Sequence, residues 1–224
     1  MSQPLISLNE WDEVARYVDS EFKYPASFVS RAASGDFDKD AFSLGQLASK
    51  AWLLKEYAQY SPVRPHTLAL LASWYGVLAE PLLIQTPQLE RVWGFDIYPH
   101  SVRMSDQFNQ HLVVDGWRYK GVVDDILTIN WKHPEFVVNG TLIDTKPSVI
   151  VNTSCEHMHE SWFDSVGTDQ LVVLQSNNNR FLDGHINITE SLDQLLEKYP
   201  LSKILFKGSM KLPLYTRYML IGYK

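Results

Sequence analysis

The chain has 224 residues, 45% hydrophobic and 21% charged, enough to bury one full core and too apolar for a disordered or fibrous protein. With 20 Lys plus Arg against 26 Asp plus Glu the net charge is -6, which argues against a broad electrostatic grip on a phosphate backbone. A single cysteine, Cys155, excludes an intramolecular disulfide and a multi-cysteine zinc cluster, and no run of about 18 apolar residues offers a membrane span. The opening residues carry acids where a secretory leader would carry positive charge. The expectation is a soluble, cytoplasmic protein with no membrane partner.

The first sixty residues read as helical. Asn9 is positioned to cap a helix whose Trp11, Val14, Ala15, Tyr17 and Val18 share one face. Asp38 or Asp40 would cap a second, with Phe42, Leu44, Leu47, Ala51, Leu54 and Ala58 facing in, and Ser34-Gly35-Asp36 forms the turn between them. Pro62 and Pro65 stop this helix, because proline lacks an amide proton and biases its predecessor away from helix. The boundary is drawn there: an N-terminal helical cap over 1–62 and a second unit over 63–224.

Beyond it the pattern changes. Thr67 to Ala72 is a continuous apolar run of the kind that parallel strands show when both sheet faces are covered. Val77 to Gln85 is a helix, Val92 to Asp96 a strand, Ser101 to Leu112 a helix and Trp117 to Val123 a third strand. Val149 to Asn152 and Leu171 to Gln175 are strands ending in polar residues, and Thr189 to Tyr199 is a helix capped by Thr189. Lys203 to Lys211 and Tyr215 to Lys224 make a terminal hairpin. This alternation implies an α/β fold with a mostly parallel sheet, right-handed crossovers and an antiparallel C-terminal member.

In such sheets ligands bind beyond the carboxyl ends of the strands, where strand order reverses. The first end, Ser73-Trp74-Tyr75-Gly76, is a strand-to-helix turn in which Gly76 lets backbone approach a ligand; it lacks the G-x-G-x-x-G set. Asp96 follows about 20 residues after Gly76, the spacing at which an acid meets ribose hydroxyls, and it also suits a helix cap.

These residues carry a resemblance. Strand ends at Gly94-Phe95-Asp96, Val123-Asp124-Asp125 and Asn152-Thr153-Ser154, with the terminal hairpin, resemble the class I S-adenosylmethionine-dependent methyltransferases over roughly 63–224. The stretches Val151 to Met158, Leu174 to Asn178 and Tyr215 to Gly222 are similar to small methyltransferase-like proteins of bacteriophages, which would make the compartment a host cytoplasm. The resemblance implies a Rossmann-like, seven-stranded sheet and S-adenosylmethionine as cofactor. Ala72, Ser73, Trp74, Tyr75 and Gly76 would line its methionine part, Asp96 would hold the ribose, Asp124, Asp125 and Ile126 would flank the adenine, and Ile97 would also touch the cofactor. Asn152 and Thr153 would stand at the methyl-transfer end. Two features depart from the family: the first loop has no acid and one glycine, and Asn152 is not followed by the Pro-Pro-aromatic run of amino methyltransferases, so base-amino methylation is not supported.

Cys155, Glu156, His157, His159 and Glu160 crowd just past a strand end. Glu156 and His157 fit an acid/base pair serving a hydroxyl, amine or acid nucleophile, and equally a cap with a surface pair. His157 and His159 would point apart on a strand and match no metal motif, so no metal is expected. Gln175, Asn177, Asn178 and Arg180 would orient a polar substrate or form turns. The function expected is methyl transfer to a small polar acceptor, with breakdown of the sulfonium itself or non-catalytic binding as rivals. Nucleic acid stays open as acceptor through Lys203, Lys207 and Lys211, as does the oligomeric state.

Overall fold

The computed structural model describes residues 5–113 and 117–224, so the first four residues of the acidic opening lie outside it. The chain begins with a short strand, β1 (Leu5–Ser7), and three helices, α1 (Trp11–Glu21), α2 (Ala26–Ser34) and α3 (Leu44–Tyr60). It then alternates through β2 (His66–Leu71), α4 (Ala79–Gln85), β3 (Leu89–Asp96), α5 (Pro99–Phe108) and β4 (Tyr119–Val123). A small hairpin, β5 (Phe136–Val138) and β6 (Thr141–Ile143), precedes β7 (Val149–Asn152), β8 (Leu171–Asn177), α6 (Leu192–Lys198), β9 (Lys203–Lys211) and β10 (Thr216–Tyr223).

Eight strands form one sheet in the order β1-β9-β10-β8-β7-β2-β3-β4. Strands β4, β3, β2, β7 and β8 are mutually parallel, and β10 runs antiparallel to both β8 and β9. From β2 the chain adds β3 and β4 on one side and later β7 and β8 on the other. The switch point therefore lies between β2 and β7, whose ends pair as Leu71 with Asn152. The expected seven strands gain an eighth, β1, which lies parallel along the end of β9.

One face of the sheet carries α1, α3 and α4, with Val14, Trp52, Leu53, Leu54 and Leu82 joining Leu68, Val151, Val173 and Met219 in one continuous core. The opposite face packs Trp131, Phe136, Trp162 and Tyr199 on Leu71, Phe95, Ile150 and Leu174. The N-terminal helices thus share their core with the sheet.

Local chemistry moves several expected boundaries. The Glu13 carboxylate accepts from the backbone N–H groups of Asn9 and Glu10, so α1 starts one residue later than an Asn9 cap would set. Asp38 caps a 3-10 turn at Lys39–Phe42, and Ser43 caps α3 by accepting from Gln46 N–H. Ser191 rather than Thr189 caps α6; Thr189 is buried, its N–H donating to the Asn177 carbonyl. Pro99 opens α5, a position where its missing donor costs nothing.

Truncating Trp52, 1% exposed and edge-on to Phe206, should cost about 3–5 kcal/mol, read as a lower urea midpoint. Removing residues 1–60 strips one face of the sheet, and the expected outcome is an aggregated or dye-binding chain instead of a folded core.

Candidate active site at the carboxyl ends of the strands

The turn after β2 is strained. Ala72 and Trp74 have φ of 47° and 51°, left-handed values that non-glycine residues seldom adopt, and Gly76 follows at 63°. The surroundings hold it there. Trp74 N–H donates to Asp96 Oδ2 at 2.8 Å, Tyr98 N–H to Asp96 Oδ1 at 3.0 Å, and Ser73 N–H to the Phe95 carbonyl at 2.8 Å. A Cβ on Gly76 would stand 2.6 Å from the Tyr119 hydroxyl and one on Gly94 2.4 Å from it, so both glycines make room for that ring beneath the turn. The Asn109 amide supports the Gly76 carbonyl at 3.2 Å.

Asp96 is 8% exposed, and burial raises its pKa against the opposing pull of the backbone N–H groups. It is both cap and loop anchor. Beside it the ends of β3 and β4 leave apolar side chains open: Ile97 at 55%, Tyr98 at 68%, Val123 at 52% and Leu127 at 43% exposure. Asp124 turns its carboxylate to Asp125 N–H, Asp125 accepts from Leu127 N–H, and Ile126 is buried with its carbonyl taking the Trp131 indole N–H.

At the end of β7, Asn152 is fully buried. Its Oδ1 accepts from Ser154 N–H at 2.9 Å and its Nδ2 donates to Met158 Sδ at 3.2 Å, so it shapes the turn. Cys155 is buried, and burial holds its thiol well above the usual range, unfit as a nucleophile. Glu156, 2% exposed, accepts from the Asn177 amide and lies 3.6 Å from the Arg217 guanidinium, itself 3% exposed and donating to the Thr153 carbonyl at 3.1 Å. Burial works against the charge on Arg217, but Glu156 and Tyr215 together outweigh it and the net shift is upward. Glu156 Oε2 and Arg217 Nε are both buried without a partner. His157 is partly open to solvent, yet the protein around it lowers its pKa, with the charge of Glu156 opposing.

Above this pair lies the N-terminal end of α3. Ser49 Oγ donates to Gln175 Oε1 at 2.9 Å, and Asp38 N–H reaches the Tyr75 hydroxyl at 3.3 Å. Half-buried Lys50 donates to Gln46 Oε1; enclosure by protein, then repulsion from Arg217, bring its pKa down to about 7. The structure thus gathers Glu156, Asn177 and Thr153 around Arg217. It sets others apart: Gln175 clamps α3 to β8, Asn178 Oδ1 accepts from Thr216 N–H, and Arg180 pairs with Glu190 on the surface. Lys50 and Arg217 were not singled out from the sequence. An arginine inside the apolar run Thr216 to Tyr223 was the available signal.

No protein-family model matches the sequence, and no curated protein matches it. Solved structures do match in fold. The Podospora anserina methyltransferase PaMTH1 with bound SAH superposes over 100% of this chain and 99% of its own, at TM-score 0.61 and 12% identity. Magnesium protoporphyrin IX methyltransferase from Synechocystis PCC 6803, also with bound SAH, covers 92% and 98%, at TM-score 0.60 and 11% identity. A Pyrococcus horikoshii protein described as a putative RNA methyltransferase covers 95% of each chain, at TM-score 0.55 and 12% identity. The fold is that of the class I methyltransferases. In this methyltransferase fold the strained turn and Asp96 occupy the switch-point side of the sheet.

Lys50 carries a folded-state pKa near 7 against 10.5 for the free side chain. Its burial cost is full below about pH 7 and fades as pH rises toward 10.5, because the unfolded chain then holds the extra proton. Lys50→Met should raise stability at pH 6 and flatten its rise between pH 7 and 10, read by urea denaturation. Arg217→Met strands the Glu156 charge and should cost about 3–5 kcal/mol, whereas adding Glu156→Gln should recover part of it, as a double-mutant cycle would measure.

Proposed function

We propose that the protein is an S-adenosylmethionine-dependent methyltransferase acting on a small polar acceptor. The observation that carries the reading is the strained turn Ala72 to Gly76, tied through Trp74 N–H to Asp96 at the switch point of the sheet. Strain of this kind persists where a backbone must hold a shape for a ligand, and three structural neighbours are described as methyltransferases, two of them with bound SAH.

The cofactor's methionine part would lie along Ala72, Ser73, Trp74, Tyr75 and Gly76. Its ribose would meet Asp96, whose oxygens accept from Trp74 and Tyr98 and still offer lone pairs to hydroxyls. The adenine would rest among Ile97, Val123 and the backbone of Asp124, Asp125 and Ile126, where apolar side chains stand open at the ends of β3 and β4. Asn152 and Thr153 would shape the floor under the reacting methyl.

Methyl transfer from a sulfonium asks the protein to align the nucleophile and exclude water more than to move protons. The acceptor would sit between the N-terminal end of α3 and the ends of β7 and β8. There Lys50, with its lowered pKa, would take the proton that an attacking hydroxyl or amine releases, and Glu156 with His157 would line the acceptor beside Arg217. The net charge of -6 suits a small molecule better than a helix of nucleic acid.

Calorimetry with SAH tests the reading. The wild-type chain should bind about one equivalent. Ile97→Asp, on a side chain 55% exposed, should weaken binding at least tenfold while the melting temperature stays close to wild type, as surface changes allow. No heat with either SAH or S-adenosylmethionine removes the proposal.

A further inference from the structure

Beyond Asp96 and the strained turn, the molecule holds a second concentration of ligand chemistry. Glu156, His157 and His185 each present one donor atom, and these atoms lie within 4.8 Å of one another. The sequence separates His185 from the other two by a whole strand. The fold joins them because the segment after β8 folds back over the turn after β7: Asn187 N–H donates to the Glu156 carbonyl at 2.9 Å, and its side-chain amide to the Met158 carbonyl at 2.9 Å.

We infer that Glu156, His157 and His185 form a binding site for a divalent transition cation of the zinc class. Four observations support it. Two imidazoles and one carboxylate are a donor set that borderline cations take, with a position left for water or an acceptor oxygen. The His185 ring is oriented from behind by backbone, its Nδ1 donating to the Asn179 carbonyl. A carbonyl only accepts, so the bonded nitrogen of His185 carries the proton and Nε2 keeps its lone pair, the arrangement that metal-binding histidines show.

Glu156 supplies the independent sign. It is 2% exposed, its Oε1 is engaged by Asn177 and Arg217, and its Oε2 is buried without a partner, an orphan that a cation would satisfy. Finally, the two rings meet edge to face with centroids 4.5 Å apart. Tetrahedral bonds of about 2.0–2.1 Å set donors ~3.4 Å apart, so a small ring rotation brings the set together.

The site lies beside the acceptor side of the sheet ends, but cation binding does not depend on methyl transfer. The test uses the full, untagged chain, stripped with chelator and dialysed against Zn²⁺ or Co²⁺, with metal content, melting temperature and the visible Co²⁺ spectrum as readouts. About one equivalent should bind and raise the melting temperature. His157→Ala and His185→Ala should each weaken uptake at least tenfold, while His159→Ala, which alters a neighbouring turn cap, should leave it unchanged. His157→Asn and His185→Asn, the latter keeping a donor for the Asn179 carbonyl, should give the same loss and so separate lost ligation from misfolding of the alanine variants. No saturable uptake by the wild-type chain, or uptake at full strength in either single variant, overturns the inference. SAH binding measured on the same samples reports separately on the methyltransferase reading.

Discussion

The Asp96 carboxylate is the constraint on which the cofactor end of the molecule depends. By accepting from Trp74 and Tyr98 N–H it joins the turn after β2 to the end of β3, and so holds two non-glycine residues at positive φ. A strained turn needs such over-determination: each left-handed residue costs on the order of 1–3 kcal/mol, which the surrounding contacts must offset. Tyr119 supplies the rest, its ring occupying the space that Gly76 and Gly94 leave under the turn. A loop without the family's acid and glycine repeat thereby acquires a fixed shape by other means.

The acceptor end is organised by a buried ion pair. Glu156 and Arg217 come from a turn and a strand far apart in sequence, and neither is fully satisfied by the other. Burying two charges is expensive, so their value to the protein lies more in what they position than in stability. Arg217 holds the Thr153 carbonyl and adds to the burial that depresses the proton affinity of Lys50; Glu156 meets Asn177 and lies by two imidazoles. Through them the ends of β7, β8 and β10 and the start of α3 act as one electrostatic unit.

Much of the frame was legible. Continuous apolar runs marked β2 and β7, and polar strand ends marked where the site lies, because those patterns follow from burial on both sheet faces. Other parts were hidden for physical reasons. β1 has three residues, too few for a period, and exists through its pairing with β9. The β5–β6 hairpin did have a sign, Asn139-Gly140 between apolar pairs, both residues adopting positive φ. The placement of Asp96 and Glu156 at strand ends could be read from position, but the roles of Asn152 and Gln175 as buried braces could not, since only tertiary packing decides whether an amide faces a ligand or the backbone. Arg217 and His185 meet Glu156, and Lys50 comes under the charge of Arg217, only through long-range contacts that no local pattern encodes.

The short strand at the start of the chain has one more effect. Among the described residues it covers β9 from Ser209 to Lys211, and the rest of that border carries Lys203 and Lys207. Unpaired borders of sheets invite other chains to add strands, and both a fixed plug and lysine charges discourage it. A paired stretch and a lysine-bearing stretch thus share the border of β9, and both oppose side-by-side growth of the sheet into a neighbouring molecule.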